Sequence, residues 1–244
     1  MQVPCPLPTR LKILAAQLDS GEILADIGTD HAYLPIYAVQ NHIVKRAIAC
    51  DIHRPPLQSA LFNIQKFNVT NQVECRMGSG LSVLLDTEID LISMAGLGGM
   101  TIRSILSEDY EKAKKAKSIL LQPNNHEADV RLWLASSGFK ILDEGVLRDR
   151  KHFYQWMKVK WNGEIRDVDS FSAHYGDLQN ASMDPVRFEW LTKERNRLSK
   201  ALQGREKAKI LKSSVSEQYE DTIVKIDRLL KNNLTSVTNS TILK

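Results

Sequence analysis

Ala25-Asp26-Ile27-Gly28-Thr29-Asp30-His31-Ala32-Tyr33-Leu34-Pro35 closes an apolar run that begins at Ile23, inserts a polar turn, and resumes an apolar pattern from Tyr33 to Gln40. The pattern reads as strand, tight turn, helix. In an α/β domain such a turn lies at the carboxyl end of a strand, where open parallel sheets bind ligands, and Gly28 lets a ligand approach the backbone. Working outward, Thr9 is the expected cap of a helix through Leu18, and Glu22 to Ile27 forms the first strand. Arg46 to Asp51 is a second strand ending in a carboxylate. Pro55 and Pro56 suit the first turn of a helix carrying Leu57, Leu61, Ile64 and Phe67 on one face.

Three more strands follow, Val73–Met77, Ile89–Met94 and Ser118–Leu121, each ending in glycine or polar residues. Asn125 can cap a helix from Glu127 to Ser137. Phe139–Leu147 and Phe153–Trp161 form an antiparallel hairpin at the sheet edge. Five strands alternating with helices and then a hairpin make a doubly wound sheet with a reversed final strand, the order of methyltransferases that use S-adenosylmethionine. Residues 1–161 are assigned to this domain and 162–244 to a connector and a C-terminal helical domain. Asp184-Pro185 starts a helix there, and Phe188, Leu191, Leu198 and Leu202 keep heptad spacing that Val215, Tyr219, Ile223, Ile226 and Leu230 repeat, so a coiled-coil hairpin is expected. Gly204 and Ser213-Ser214 are candidate breaks, and a frayed tail is expected from Asn232.

The chain has 244 residues, 43% hydrophobic and 25% charged, with a net charge of +4. That is an ordinary composition for a soluble globular protein. Cys5, Cys50 and Cys75 are odd in number and form no C-x-x-C pair, and His53, His126 and His152 lack metal-ligand spacing, so neither a disulfide framework nor a metal site is expected. No run reaches the roughly 18 apolar residues of a membrane span, and a cytoplasmic, monomeric protein with no membrane partner is expected.

The Asp26–His31 turn has one glycine and no G-x-G-x-x-G, which argues against a pyrophosphate cradle. A cationic sulfonium with an amino-acid tail would instead favour Asp26 and Asp30; the plainer reading is a turn in which Asp30 caps a helix. Asp51 lies near the offset at which a carboxylate meets ribose hydroxyls, with a solvated strand-end aspartate as the alternative. Small residues at Gly78-Ser79-Gly80-Leu81 leave room for an adenine ring. Ala95-Gly96-Leu97-Gly98-Gly99 suggests close approach by a ligand, or a loop needing positive φ. Gln122-Pro123-Asn124 offers amide groups for binding or for capping. His31 is an acid–base candidate whose alternative is hydrogen bonding or stacking.

Between Arg187 and Lys212, basic residues exceed acidic ones threefold, nine against three. This local excess favours contact with phosphates over a merely solvated helix face. The candidate RNA-binding residues are Arg187, Lys193, Arg195, Arg197, Lys200 and Lys207, with Arg205, Lys209 and Lys212 in the same run. Arg148, Arg150, Lys151 and Lys158 could extend the footprint from the sheet edge.

Arg10-Leu11, the Asp26–Pro35 motif, Ala95–Gly99, Leu121-Gln122-Pro123-Asn124, the basic hairpin and the C-terminal helices together resemble the bacterial tRNA (adenine-22-N1)-methyltransferase family. The resemblance implies a Rossmann-like domain with a C-terminal coiled coil, S-adenosylmethionine as cofactor and tRNA as partner. It implies that Gly28, Asp30, His31 and Asp51 line the cofactor site, with Ser79 and Gly80 at its adenine and Met94, Ala95 and Gly96 nearer the methyl group. Ser79 stands where the family has aspartate in a Gly-Asp-Gly-Leu motif, so a backbone contact to the adenine is expected there. For the substrate, Asn124 and the Gly96–Gly99 loop would orient the base, and Asp26, Asp30 or His31 would receive a late proton. Rival readings are a methyltransferase of protein or small molecules, and an RNA-binding module without activity.

Overall fold

A computed structural model describes residues 3–178, 183–207 and 214–241. The chain divides into two compact units, Met1–His174 and Tyr175–Lys244, so the connector read from sequence is shared between them.

The first unit alternates helices and strands: α1 (Thr9–Ala15), β1 (Gly21–Ile27), α2 (Tyr33–Gln40), β2 (Val44–Asp51), α3 (Arg54–Lys66), β3 (Val73–Met77), β4 (Leu91–Leu97), α4 (Gly99–Glu108), α5 (Tyr110–Ala113), β5 (Ser118–Pro123), α6 (Glu127–Ser136), β6 (Phe139–Asp149) and β7 (His152–Trp161). A short helix, α7 (Ser170–Tyr175), follows. The strands form one sheet in the order β3-β2-β1-β4-β5-β7-β6. β7 runs antiparallel to both β5 and β6, so the reversed strand lies inside the sheet and β6 forms the edge.

Both faces of the sheet are buried, which is why its strands read as continuous apolar runs. Ala25, Ile27, Ile48, Cys50, Ile92 and Met94 pack with Ile102 and Leu106 of α4 and Val130 and Leu134 of α6. The alternate residues Leu24, Ala47, Ala49 and Leu91 pack with Leu34, Ile36 and Val39 of α2 and Ala60 and Ile64 of α3. Leu61, expected on the buried face of α3, is exposed, and Ala60 takes its place. At the amino ends of the strands, Asp90 accepts the Glu22 and Ile23 N–H groups at 2.6 and 3.2 Å and pairs with Lys117 at 2.7 Å. Buried Arg131 bonds Glu144, Gln155 and the Ala173 carbonyl, fixing the β6–β7 hairpin and the segment after it onto α6.

Several local expectations are corrected. Thr9 is the first residue of α1, with Pro8 at the cap, and the helix stops at Ala15. Asp30 caps nothing, because α2 starts from Ala32 in the left-handed region without a side-chain cap. Asn125 caps the start of α4, not α6: its Oδ1 accepts the Gly99 N–H at 3.2 Å.

In the second unit, α8 (Pro185–Lys207) and α9 (Ser214–Thr241) pair. Asp184 Oδ1 accepts the Val186 and Arg187 N–H groups and starts α8. Arg195 bonds Asp227 and Arg205 bonds Ser216, which sets the helices antiparallel. Leu191, Leu198 and Ile226 are buried, whereas Val215 is exposed. Gly204 does not break α8, and α9 remains helical past Asn232.

Candidate active site

The strand order reverses between β1 and β4, and α/β sheets bind ligands in the crevice outside such a switch point. The carboxyl ends of β1 to β5 carry the candidate residues. At β1, the Gly28 and Thr29 N–H groups both donate to the Cys50 carbonyl at 2.9 Å, closing the turn against β2. Gly28 has φ +77°, and a Cβ would come 2.5 Å from Leu97 Cδ2, so only glycine fits.

Asp26 is 7% exposed. Its Oδ1 accepts the Ser93 hydroxyl at 2.6 Å across the β1–β4 pair. Burial pushes the carboxyl up to about 6; hydrogen bonds from Ser93 and Thr29 and the charge of Arg10 oppose that rise. Asp26 is thus held inside the sheet end, whereas Asp30 is exposed and pairs with the half-buried His31 at 3.2 Å. The His31 ring lies 5.4 Å from that of Tyr33.

Asp51 is half-buried at the end of β2 and accepts the His53 N–H at 2.8 Å. After β3, Ser79 is exposed and Gly80 is buried at φ +55°. Met94, by contrast, is fully buried in the core, so its side chain cannot line the site as expected. The strand-end period decides this: Met94 shares the inward face with Ile92.

At the end of β4, Gly96 has φ +86°, and a Cβ would approach Arg10 Nη1 to 2.9 Å. Gly99 is needed for close packing on the backbone of Asn125 and His126. The glycine cluster therefore has causes within the protein at Gly96 and Gly99. Asn124 Nδ2 donates to the Gly96 carbonyl at 2.6 Å, and its Oδ1 accepts from Gln122 Nε2 at 3.2 Å. An amide with one bond at each end keeps one N–H and one lone pair.

Arg10 is the residue that sequence reasoning left without a role. Its guanidinium donates to Gln122 Oε1, lies against Gly96, acts on the Asp26 charge, and sits 6.0 Å from the Tyr154 ring. The signal in the sequence was its place in the Arg10-Leu11 pair that contributes to the family resemblance.

The candidate RNA residues separate into two groups. Arg148, Arg150 and Lys151 are exposed at the tip of the β6–β7 hairpin. Because β7 runs against β5, this tip projects past the same carboxyl edge as the site. Lys158 is instead paired with Asp19 at 3.0 Å. On α8, Arg187 is 4% exposed and so unavailable to phosphate, a correction that its place on the packed face explains. Lys193 pairs with Glu189, Arg195 with Asp227 and Arg197 with Glu194. Lys200 is exposed. The side chain of Lys207 and the whole of Lys209 and Lys212 lie outside the described residues.

A methyltransferase-domain family model matches residues 7–157. The tRNA (adenine(22)-N(1))-methyltransferase of Bacillus subtilis (strain 168) is 35% identical over 172 residues, 70% of this chain and 72% of that protein. The chain belongs to the tRNA (adenine-22-N1)-methyltransferase family. Two solved structures related to this family member extend the match beyond the methyltransferase domain. A Streptococcus pneumoniae protein in complex with S-adenosyl-L-methionine is 31% identical with a TM-score of 0.79, covering 92% of this chain and 100% of that one. M. capricolum TrmK in complex with S-adenosyl-homocysteine is 30% identical with a TM-score of 0.75, covering 92% and 98%. Among the described residues of this family member, no side-chain cluster could hold a metal ion and no helix is long and apolar enough to cross a membrane.

Proposed function

We propose that this chain transfers a methyl group from S-adenosylmethionine to N1 of adenine 22 in tRNA. The observation that carries this reading is the half-buried Asp51 carboxylate beside the glycine turn at Gly28, at the switch point of a sheet in this family. The residues present fit the cofactor: a half-buried carboxylate for vicinal hydroxyls at Asp51, and carboxylates at Asp26 and Asp30 to offset a sulfonium. When bound, S-adenosylmethionine supplies an electrophilic methyl group.

Asp51 holds the ribose. Gly28, Asp30 and His31 bound the amino-acid end, Ser79 and Gly80 the adenine, and Ala95 and Gly96 the space nearest the methyl group, with Met94 contributing backbone alone. Adenine N1 carries an in-plane lone pair, so no side chain has to deprotonate it before reaction, and positioning dominates. Asn124 orients the base with the N–H and lone pair that Gly96 and Gln122 leave free. The Asp30–His31 pair is the exit for a late proton, while Asp26 acts from behind the turn by opposing the charge of Arg10.

The base must leave its pair and stack to be reached. Arg148, Arg150 and Lys151 grip phosphates beside the site, and Lys193, Arg197 and Lys200 add a weaker contact from α8, whose pairing with α9 has the heptad spacing of a coiled coil. Buried free thiols at Cys5 and Cys50 suit a cytoplasmic enzyme. The test is methylation of transcribed tRNA, read as a primer-extension stop at position 22 and lost when that adenine is replaced by guanine. Absence of the stop at saturating cofactor would sink the reading.

A further inference from the structure

β5 and β7 pair with Ile119 opposite Val159, Leu120 opposite Lys158 and Leu121 opposite Met157. Tyr154 lies three residues before Met157 on β7, toward the carboxyl end of β5. Tyr154 is half-buried and packs on the cluster of Leu14, Leu120, Leu147 and Trp156, to which Ala95 also belongs. Arg10 lies 6.0 Å from the ring centroid and is itself held by Gln122 and against Gly96. The ring, with His152 6.4 Å away and Arg10 over one face, is thereby fixed beside the ends of β4 and β5.

We propose that Tyr154 is the surface on which the target adenine stacks, with Arg10 as the residue that positions its ring. This rests on the methyltransferase reading above. As adenine gains its bond at N1, the sulfur regains the electron pair of the broken bond, and the adenine ring takes over the positive charge. An aromatic face attracts a cationic ring more strongly than a neutral one, so the contact strengthens toward the transition state and acts on kcat. Arg10 bonds Gln122 and lies over one face of the ring, so the base takes the other.

The test compares Tyr154→Leu, which keeps an apolar side chain in the cluster, with Tyr154→Phe, which keeps the aromatic face. The Leu variant is expected to lower kcat about tenfold with cofactor affinity and melting temperature near wild type, and the Phe variant to stay within about threefold. An activity-independent arm uses tRNA with 2-aminopurine at position 22: wild type and Phe quench its fluorescence on binding, and Leu does not. Equal quenching or equal kcat in the Leu variant overturns the proposal, as does a Leu variant whose only change is a lowered melting temperature. If wild type binds this tRNA and quenches but makes no methylated product, the stacking surface stands and the methyltransferase reading fails instead.

Discussion

The strand ends of the first unit and the paired helices of the second are both rich in charge, but they satisfy it over different distances along the chain. At the strand ends, Arg10 meets Gln122 112 positions away and Ser93 meets Asp26 67 positions away. On the helices, Arg195 reaches Asp227 on the facing helix, but Lys193 pairs with Glu189, Arg197 with Glu194 and Lys225 with Asp221, all within one turn. Pairs of the second kind are solvated, form in any helix of that sequence, and contribute little. Contacts of the first kind exist only once the sheet has assembled, and they are the ones that shape a site. The hairpin tip is a third case: Arg150 and Lys151 are exposed at the edge of the sheet that also carries the crevice.

Replacing Asp51 by alanine tests the strand-end half of this contrast most severely. Loss of charge-assisted hydrogen bonds to a ribose is expected to weaken cofactor binding about a hundredfold in calorimetry, with tRNA affinity retained. Unchanged cofactor affinity would remove Asp51 from the site.

Asp26→Asn probes the buried side of the same network. Because burial raises the Asp26 carboxyl to about 6 from 3.8, the folded chain holds a proton between those values that the unfolded chain has released. Stability from this group is therefore present at low pH, falls as pH rises from about 4 to about 6, and is level above. Between pH 4 and pH 7 the wild type should lose on the order of 2 kcal/mol relative to Asp26→Asn, read from denaturant midpoints. A gap that does not change with pH would mean the carboxyl titrates alike in both states.

Removing all three tip cations, Arg148, Arg150 and Lys151, should lower tRNA affinity about tenfold at physiological salt and reduce the salt slope by about 2 to 3. The helix charges provide the smallest expected effect. Lys193→Gln with Arg197→Gln should change tRNA affinity less than about threefold, since each cation already has an acidic neighbour. A larger loss from the helix pair than from the tip would invert the comparison between the two regions.

Local sequence determined the elements and much of the strand-end chemistry. Apolar period, glycine and proline punctuation placed β1 through β5, α2 and the β6–β7 hairpin, because these signals depend on residues one to four positions apart. The positions of Gly28 and Asp51 at strand ends were legible for the same reason. Tertiary structure alone decided that β7 inserts between β5 and β6, that Asn125 caps α4, and that Met94 and Arg187 turn inward. It also brought Arg10 together with Gln122, Gly96 and Tyr154. Which polar group meets which across a sheet is set by strand order and register, and neither is encoded in any window short enough to show a period.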